Sequence, residues 1–227
     1  MKSITLFTLL IWPLLVSAQE VANNPSESDN EASKASEIWL EEVKNDFERY
    51  RTATLEDRGE DAIQYLDGRV FDYYEVMIEH ARKSDSTTVA NLPLADQLLV
   101  LAIRHRATPE QVMAFTDSTC LIFALDEGMI DKEGAANIQI DDVDIDGDFA
   151  QATVSSMGEQ VPLKFHFYKS DGIWKFDLTQ LFPLANEILA GIVTDSGMAP
   201  GELVTLLIGM AAGEPVDETS IWQPVEQ

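Results

Sequence analysis

A change of rhythm near Ile138 constrains this chain more than any other feature. Upstream, apolar residues return every three or four positions; downstream they alternate with polar ones in short segments separated by turn dipeptides. Alternation from Ile138 to Leu178 predicts an antiparallel meander with one oily face, and the preceding helices are the available cover for it. The expected fold class is α+β: N-terminal helices packed on a curved four-stranded antiparallel meander, followed by two C-terminal helices.

Within the meander, Val143 and Ile145 lead into Asp146-Gly147, a favoured two-residue hairpin turn. That turn sets Val143 opposite Ala150 and continues the apolar face through Ala152 and Val154. The next strand carries Val161, Leu163, Phe165 and Phe167 on one side, with Lys164, His166 and Tyr168 on the other. After Ser170-Asp171-Gly172, Trp174, Phe176 and Leu178 alternate with Lys175 and Asp177.

The helical part is equally legible. Ser36 is an expected N-cap, and Trp39, Val43, Phe47 and Tyr50 recur at spacings that put them on one helix face. Helices are predicted over Gly59 to Leu66 and Arg69 to Arg82, the latter burying Val70, Tyr73 or Tyr74, Met77 and Ala81, with a break over Ser84 to Asn91. Pro93 opens another, and its basic end Arg104-His105-Arg106 suits a helix C-terminus. Thr108-Pro109-Glu110-Gln111 is a capping box, and Thr116 caps the helix that ends at Gly128. Leu181 to Val193 and Pro200 to Ala212 close the domain. The tail from Gly213 is expected to lie extended, anchored by Trp222.

Residues 1–18 read as a secretory signal, with Lys2 before an apolar run from Ile4 to Val16 and a small-residue cleavage site at Val16-Ser17-Ala18. The run is too short for a membrane span and Pro13 interrupts it, so no stable membrane anchor is expected after cleavage. The expected location is periplasmic or secreted. Residues 19–36 are too polar to order themselves and are expected to form a disordered leader. A single domain then spans 37–227, mainly helical over 37–136, with the meander at 138–178, closing helices at 181–212 and the tail at 213–227.

With 15 Lys+Arg against 40 Asp+Glu, the net charge is −25. Such a chain repels a phosphate backbone, so nucleic acid is excluded as a partner. The one cysteine, Cys120, cannot close an intrachain disulfide; it lies in an apolar run and reads as a buried, inert thiol. No cofactor is expected, since no phosphate-cradling glycine loop, G-x-S-x-G or H-E-x-x-H occurs.

Three constellations could carry chemistry. Asp142, Asp144, Asp146 and Asp148, with Gly147 at the sixth position, match the first half of a calcium loop, but Thr153 stands where the bidentate Glu belongs. An acidic hairpin explains them better. Asp72, Tyr73 and Tyr74, joined by Asp177, could place hydroxyl donors and a carboxylate base in an apolar hollow; a core residue beside a boundary residue is the plainer reading of the tyrosine pair. His166 shares its phase with Lys164 and Tyr168, which makes a solvated polar cluster with Lys175 and Asp177 a better reading than a general base.

Helices first, then a meander whose hairpins carry Asp146-Gly147-Asp148-Phe149-Ala150 and Asp171-Gly172-Ile173-Trp174-Lys175-Phe176-Asp177-Leu178, resembles the NTF2-like superfamily of cone-shaped α+β proteins. The runs Phe71-Asp72-Tyr73-Tyr74, Leu101 to Arg106 and Ile221-Trp222-Gln223-Pro224 look like exported bacterial proteins of unassigned function. The resemblance spans Glu37 to Val193 and implies a pocket between sheet and helices. It encodes a hairpin and a buried aromatic rather than a reaction, and members include isomerases, dehydratases, hydrolases and cyclases beside binding modules, so no catalytic residue carries over. The expectation is a non-catalytic protein that binds a small apolar ligand or a protein partner. The alternatives are an isomerase or hydrolase using Tyr73 or Tyr74 with Asp72 or Asp177, and a weak calcium binder through Asp142 to Asp148. Exposed sheet surface makes a homodimer an open prospect.

Overall fold

A computed structural model of the chain describes residues 27–129, 132–213, 216–217 and 219–226, with side chains from residue 37 onward except at residue 133. The expected signal segment and residues 19–26 of the expected leader lie outside the described residues. The architecture is α+β, with a helical layer against one four-stranded antiparallel sheet. Among the described residues no helix is long and apolar enough to cross a membrane.

Helix α1 (Glu27–Leu55) begins well before the predicted cap at Ser36, so residues 27–36 are helical and not unstructured leader. Once the amphipathic segment behind them is nucleated, Glu, Ala and Lys extend it at little cost. Val43, Phe47 and Tyr50 are buried as their spacing predicts, whereas Trp39 is 41% exposed, one turn too early to reach the body. α2 (Gly59–Ala62) runs into a 3-10 turn (Ile63–Tyr65), and α3 (Gly68–Lys83) starts at Asp67, whose carboxylate accepts from the Arg69 N–H. The α3 stripe selects Tyr74 for the core and leaves Tyr73 at its boundary.

The predicted break over 84–91 holds a short helix, α4 (Ser86–Ala90), because Asp85 caps it by accepting from the Thr88 N–H. Then come α5 (Leu94–Arg106), α6 (Pro109–Ala114) with the Thr108–Gln111 capping box formed in both directions, α7 (Asp117–Asp126) behind Thr116, and α8 (Lys132–Asn137).

Strands β1 (Ile138–Asp146), β2 (Phe149–Ser156), β3 (Glu159–Ser170) and β4 (Ile173–Asp177) pair in sequence order. The first turn differs from expectation. Asp146 pairs with Phe149, so Gly147-Asp148 forms the loop and Val143 sits opposite Ala152, with Ile145 opposite Ala150. Only Gly147 has positive φ there, as in a turn with glycine at its first central position. The slip moves the pairing by an even count, so every apolar side chain keeps its face. The next two turns, Met157-Gly158 and Asp171-Gly172, have positive φ at both positions, the type I′ pattern whose twist matches the strands.

β4 ends at Asp177, and Leu178 opens a 3-10 turn (Leu178–Leu181) instead of extending the strand. α9 (Phe182–Ser196) and α10 (Pro200–Ala212) follow. Among the described tail residues Ile221 is buried, while Trp222 is half-buried with its ring 3.2 Å from where a Gly201 Cβ would lie. The anchor is therefore Ile221, and Trp222 is its flank.

Three arginines bind the helical layer together. Arg104, half-buried on α5, donates to the carbonyls of His80, Ala81 and Ser84 at the end of α3 and to Ile221 of the tail. Arg82 donates to Val112, Met113 and Phe115 at the end of α6, and Arg106 to Glu127 and Ala211. The basic cluster 104–106 thus offsets the carbonyl ends of neighbouring helices as well as its own.

Candidate functional site

The sheet's inner face meets α1 through five aromatic rings. Phe47 contacts Phe165, Phe167 and Phe176 with centroids 5.6, 6.0 and 5.4 Å away, and Tyr50 lies 5.7 Å from Phe176. Phe165 and Phe167 close the cluster against Phe176 at 4.7 and 5.3 Å. All five side chains are buried. These rings pack between α1 and the inner face of the sheet.

The candidate acid–base residues are dispersed around it. Asp72 is exposed on α3. The Tyr73 hydroxyl donates to Asp96 Oδ1 on α5 at 2.7 Å, and its ring stacks on Phe182 at 4.3 Å. Desolvation, followed by the neighbouring Asp96 carboxylate, pushes the Tyr73 phenol above its ordinary range. Tyr74 points into the core, where burial raises its phenol as well.

Asp177 is 0% exposed, but its oxygens are taken up as a cap: Oδ1 accepts from the Thr179 N–H at 2.9 Å and from the Thr179 hydroxyl at 2.6 Å, and Oδ2 from the Gln180 amide. The sheet register places Asp177 opposite His166, on the face away from the aromatic core. Tyr73 is thus engaged by Asp96 and Phe182, Tyr74 lies in the core, and Asp177 serves its own cap. His80 shares a hydrogen bond with Ser84 through Nδ1, and His105 is half-buried in the last turn of α5.

The calcium candidates lie on an extended hairpin. Asp142, Asp144 and Asp146 alternate along β1, all exposed, and Asp148 is in the turn. Alternate strand residues stand roughly 6.7 Å apart, which spreads their carboxylates where a calcium loop would curl them around one point. Among the described residues no three His, Cys, Asp or Glu side chains are grouped to hold a metal ion.

A groove of about 500 Å³ opens elsewhere, between α1 and the segment from Arg58 to Tyr65. It is lined by Glu48, Arg49, Thr52, Asp61 and Tyr65 among others, and none of the candidate residues reaches it. Its arginines are already neutralised, Arg49 by Asp46 and Arg58 by Glu56 and Asp61.

The outer sheet face carries a second group of cross-strand contacts. Phe149, Tyr168 and Lys175 form one cross-strand row with Asp146, and Gln151 and His166 form the next with Asp144. The Phe149 ring lies 5.2 Å from both His166 and Tyr168, and the Arg69 guanidinium lies 3.8 Å over the Tyr168 ring. His166 Nε2 shares a hydrogen bond with the Gln151 amide at 2.8 Å, and Lys164 donates to the Gln151 carbonyl oxygen. His166 is therefore held by Gln151 and not by the partners predicted for it: Lys175 donates to the Gln64 carbonyl, and Asp177 is buried in its own cap. Sequence reading missed Phe149, although its phase opposite to buried Ala150 placed it outside, and missed Arg69, which arrives from α3.

The fold and its surfaces define an α+β protein with a helix-covered antiparallel meander. The chain matches no family model, no curated protein and no solved structure.

Proposed function

We propose that this is an exported, non-catalytic partner-binding protein of NTF2-like type that works through the outer face of its sheet. The observation that carries the reading is the aromatic packing of Phe47, Tyr50, Phe165, Phe167 and Phe176: where an isomerase or hydrolase of this kind would need a hollow, five rings are in mutual contact. Tyr73 and Asp177 are each committed to a structural hydrogen bond, and Asp72 faces solvent. The helices-then-meander order and the Gly-containing hairpin turns at Gly147 and Gly172 support the NTF2-like reading, and the signal-like residues 1–18 support export.

The outer face, by contrast, has the make-up of an interface: Phe149, Tyr168 and His166 with an arginine on the Tyr168 ring, flanked by charges of both signs. Filling of the inner space favours a protein partner over a small apolar ligand.

The test is a photo-crosslinking amino acid placed at Tyr168 in the exporting cell, with one at exposed Asp195 as control. A covalent protein adduct from the first position alone is expected; no adduct from Tyr168 removes the reading. An apolar fluorescent probe should remain dark with the native chain. Saturable uptake would instead restore the hollow and the enzyme alternative.

A further inference from the structure

We infer that β1 is a docking edge for a basic, extended segment of a partner protein, which adds to the four-stranded sheet as a further antiparallel strand. The inference extends the partner-binding reading from the outer face to the edge beside it, and it stands on different groups, the main-chain N–H and C=O.

The fold treats the two edges of the sheet differently. Ser170 and Ile173 pair across the two-residue turn Asp171-Gly172, so alternation directs the Trp174 and Phe176 backbones outward from β4. Both are occupied. The Trp174 N–H donates to Asp46, and the Phe176 carbonyl accepts from the Asp67 N–H beside the Leu66 bridge.

The same rule applies to β1. Asp146 and Phe149 close the turn at Gly147-Asp148, so the Asp144 and Asp146 backbones bond to β2 while those of Val143 and Ile145 turn outward. Among the described residues nothing outside the sheet bonds to them. Arg51 of α1 covers this edge at its start, through the Ile138 carbonyl.

The side chains state what fits. Val143 and Ile145 are half-buried, although their β2 neighbours Ala152 and Ala150 are 0% exposed, so the inner apolar face runs out to an uncovered margin. Asp142, Asp144 and Asp146 line the other face, all exposed. A segment alternating apolar and basic residues matches both. Its apolar side chains continue the inner face, and its Lys or Arg side chains stand opposite Asp144 and Asp146. Those are the non-hydrogen-bonded positions of the new ladder, where Cα atoms approach to about 4.5 Å and side chains lie closest. Main-chain bonds supply the attachment and the alternation supplies the selection. A second β1 is opposed at this edge, because it would set carboxylate against carboxylate. The net charge of −25 draws a basic segment in from a distance.

The experiment is fluorescence anisotropy of a labelled Thr-Lys-Val-Lys-Val-Lys-Thr peptide with the exported chain at about 0.15 M ionic strength. Saturable binding is expected. The same peptide N-methylated at both valines keeps its charges but loses the donors that face β1, and should bind at least about fivefold more weakly. The double variant Asp144→Lys, Asp146→Lys should lose at least about tenfold for the lysine peptide and take up its glutamate counterpart instead. Val143→Pro removes one outward N–H at an edge position that tolerates proline, and should weaken binding while circular dichroism matches the parent. Hydrogen exchange at the Val143 and Ile145 amides should slow when the lysine peptide is bound.

No binding, binding indifferent to N-methylation, or exchange at Val143 and Ile145 unchanged by the peptide overturns the inference. In each case a protein captured from Tyr168 leaves the outer-face reading intact. Strand addition without a Tyr168 adduct removes that reading and keeps this one.

Discussion

The backbone N–H of Trp174 in β4 donates to Asp46 Oδ2 on α1 across 2.9 Å, in the interior. With the Lys169–Glu42 ion pair, this bond ties α1 to the sheet. Removing the acceptor leaves a buried donor without a partner. Asp46→Ala is expected to cost about 1–3 kcal/mol in urea unfolding, and Asp46→Asn, which keeps an acceptor, less.

Arg104 holds four carbonyls from two other segments of chain, the end of α3 and the tail. Arg104→Ala is expected to destabilise by about 3–5 kcal/mol, because several buried carbonyls lose their donor together. Arg104→Lys should recover little of this, since an ammonium lacks the planar fork that reaches all of them. Chemical denaturation of both variants checks the difference.

Close approach makes Gly59 irreplaceable. A Cβ there would stand 2.8 Å from Asp126 Oδ1, which accepts from the Gly59 N–H, and 3.0 Å from the Ile122 carbonyl oxygen. Gly59→Ala should cost about 1–3 kcal/mol by forcing α2 away from α7. The melting midpoint of the variant is the readout.

Burial pushes the Tyr50 phenol from 10.0 to about 12 and the Cys120 thiol from 9.0 to about 12. In both, the fold prefers the neutral form, so the unfolded chain loses its proton first. Their contribution to stability is complete below pH 9 and declines as the pH rises from there through 12. Stability measured by denaturant titration should fall across that window, with Cys120 unreactive toward thiol reagents until the chain opens. Rapid labelling of the native thiol at pH 8 would contradict the buried placement.

Thermal unfolding with and without millimolar calcium should give the same midpoint. The carboxylates of Asp142, Asp144 and Asp146 project at intervals along β1 and do not converge. A calcium-dependent rise would return these residues to consideration as ligands.

What the sequence disclosed were features whose cause is local. The Thr108–Gln111 capping box, the start of β1 at Ile138, the limits of α10 and the outward phase of His166 depend on neighbours a few positions away, and each is found where the pattern places it. The first hairpin was misplaced because Asp146-Gly147 and Gly147-Asp148 are both good turn pairs, and only the register chooses between them. The side-chain destinations were hidden for a different reason. Asp177 alternates like a strand residue, yet it serves the turn that follows; Arg104 bonds to Ile221, 117 positions away. Packing decides such partners. The candidate site suffered most: the residue types that would make an acid–base pair were present, but their convergence is a property of helix placement, and α1 fills the space with rings.

The arginine contacts carry a consequence for how the molecule comes apart. Because α3 is closed off by α5, α6 by α3, and α10 by α5, each segment finishes its own backbone bonding with a side chain borrowed from another. No one of these segments can loosen without orphaning polar groups on the next, so the helical layer should melt as a unit, and the strap at Ile221 should detach only with it.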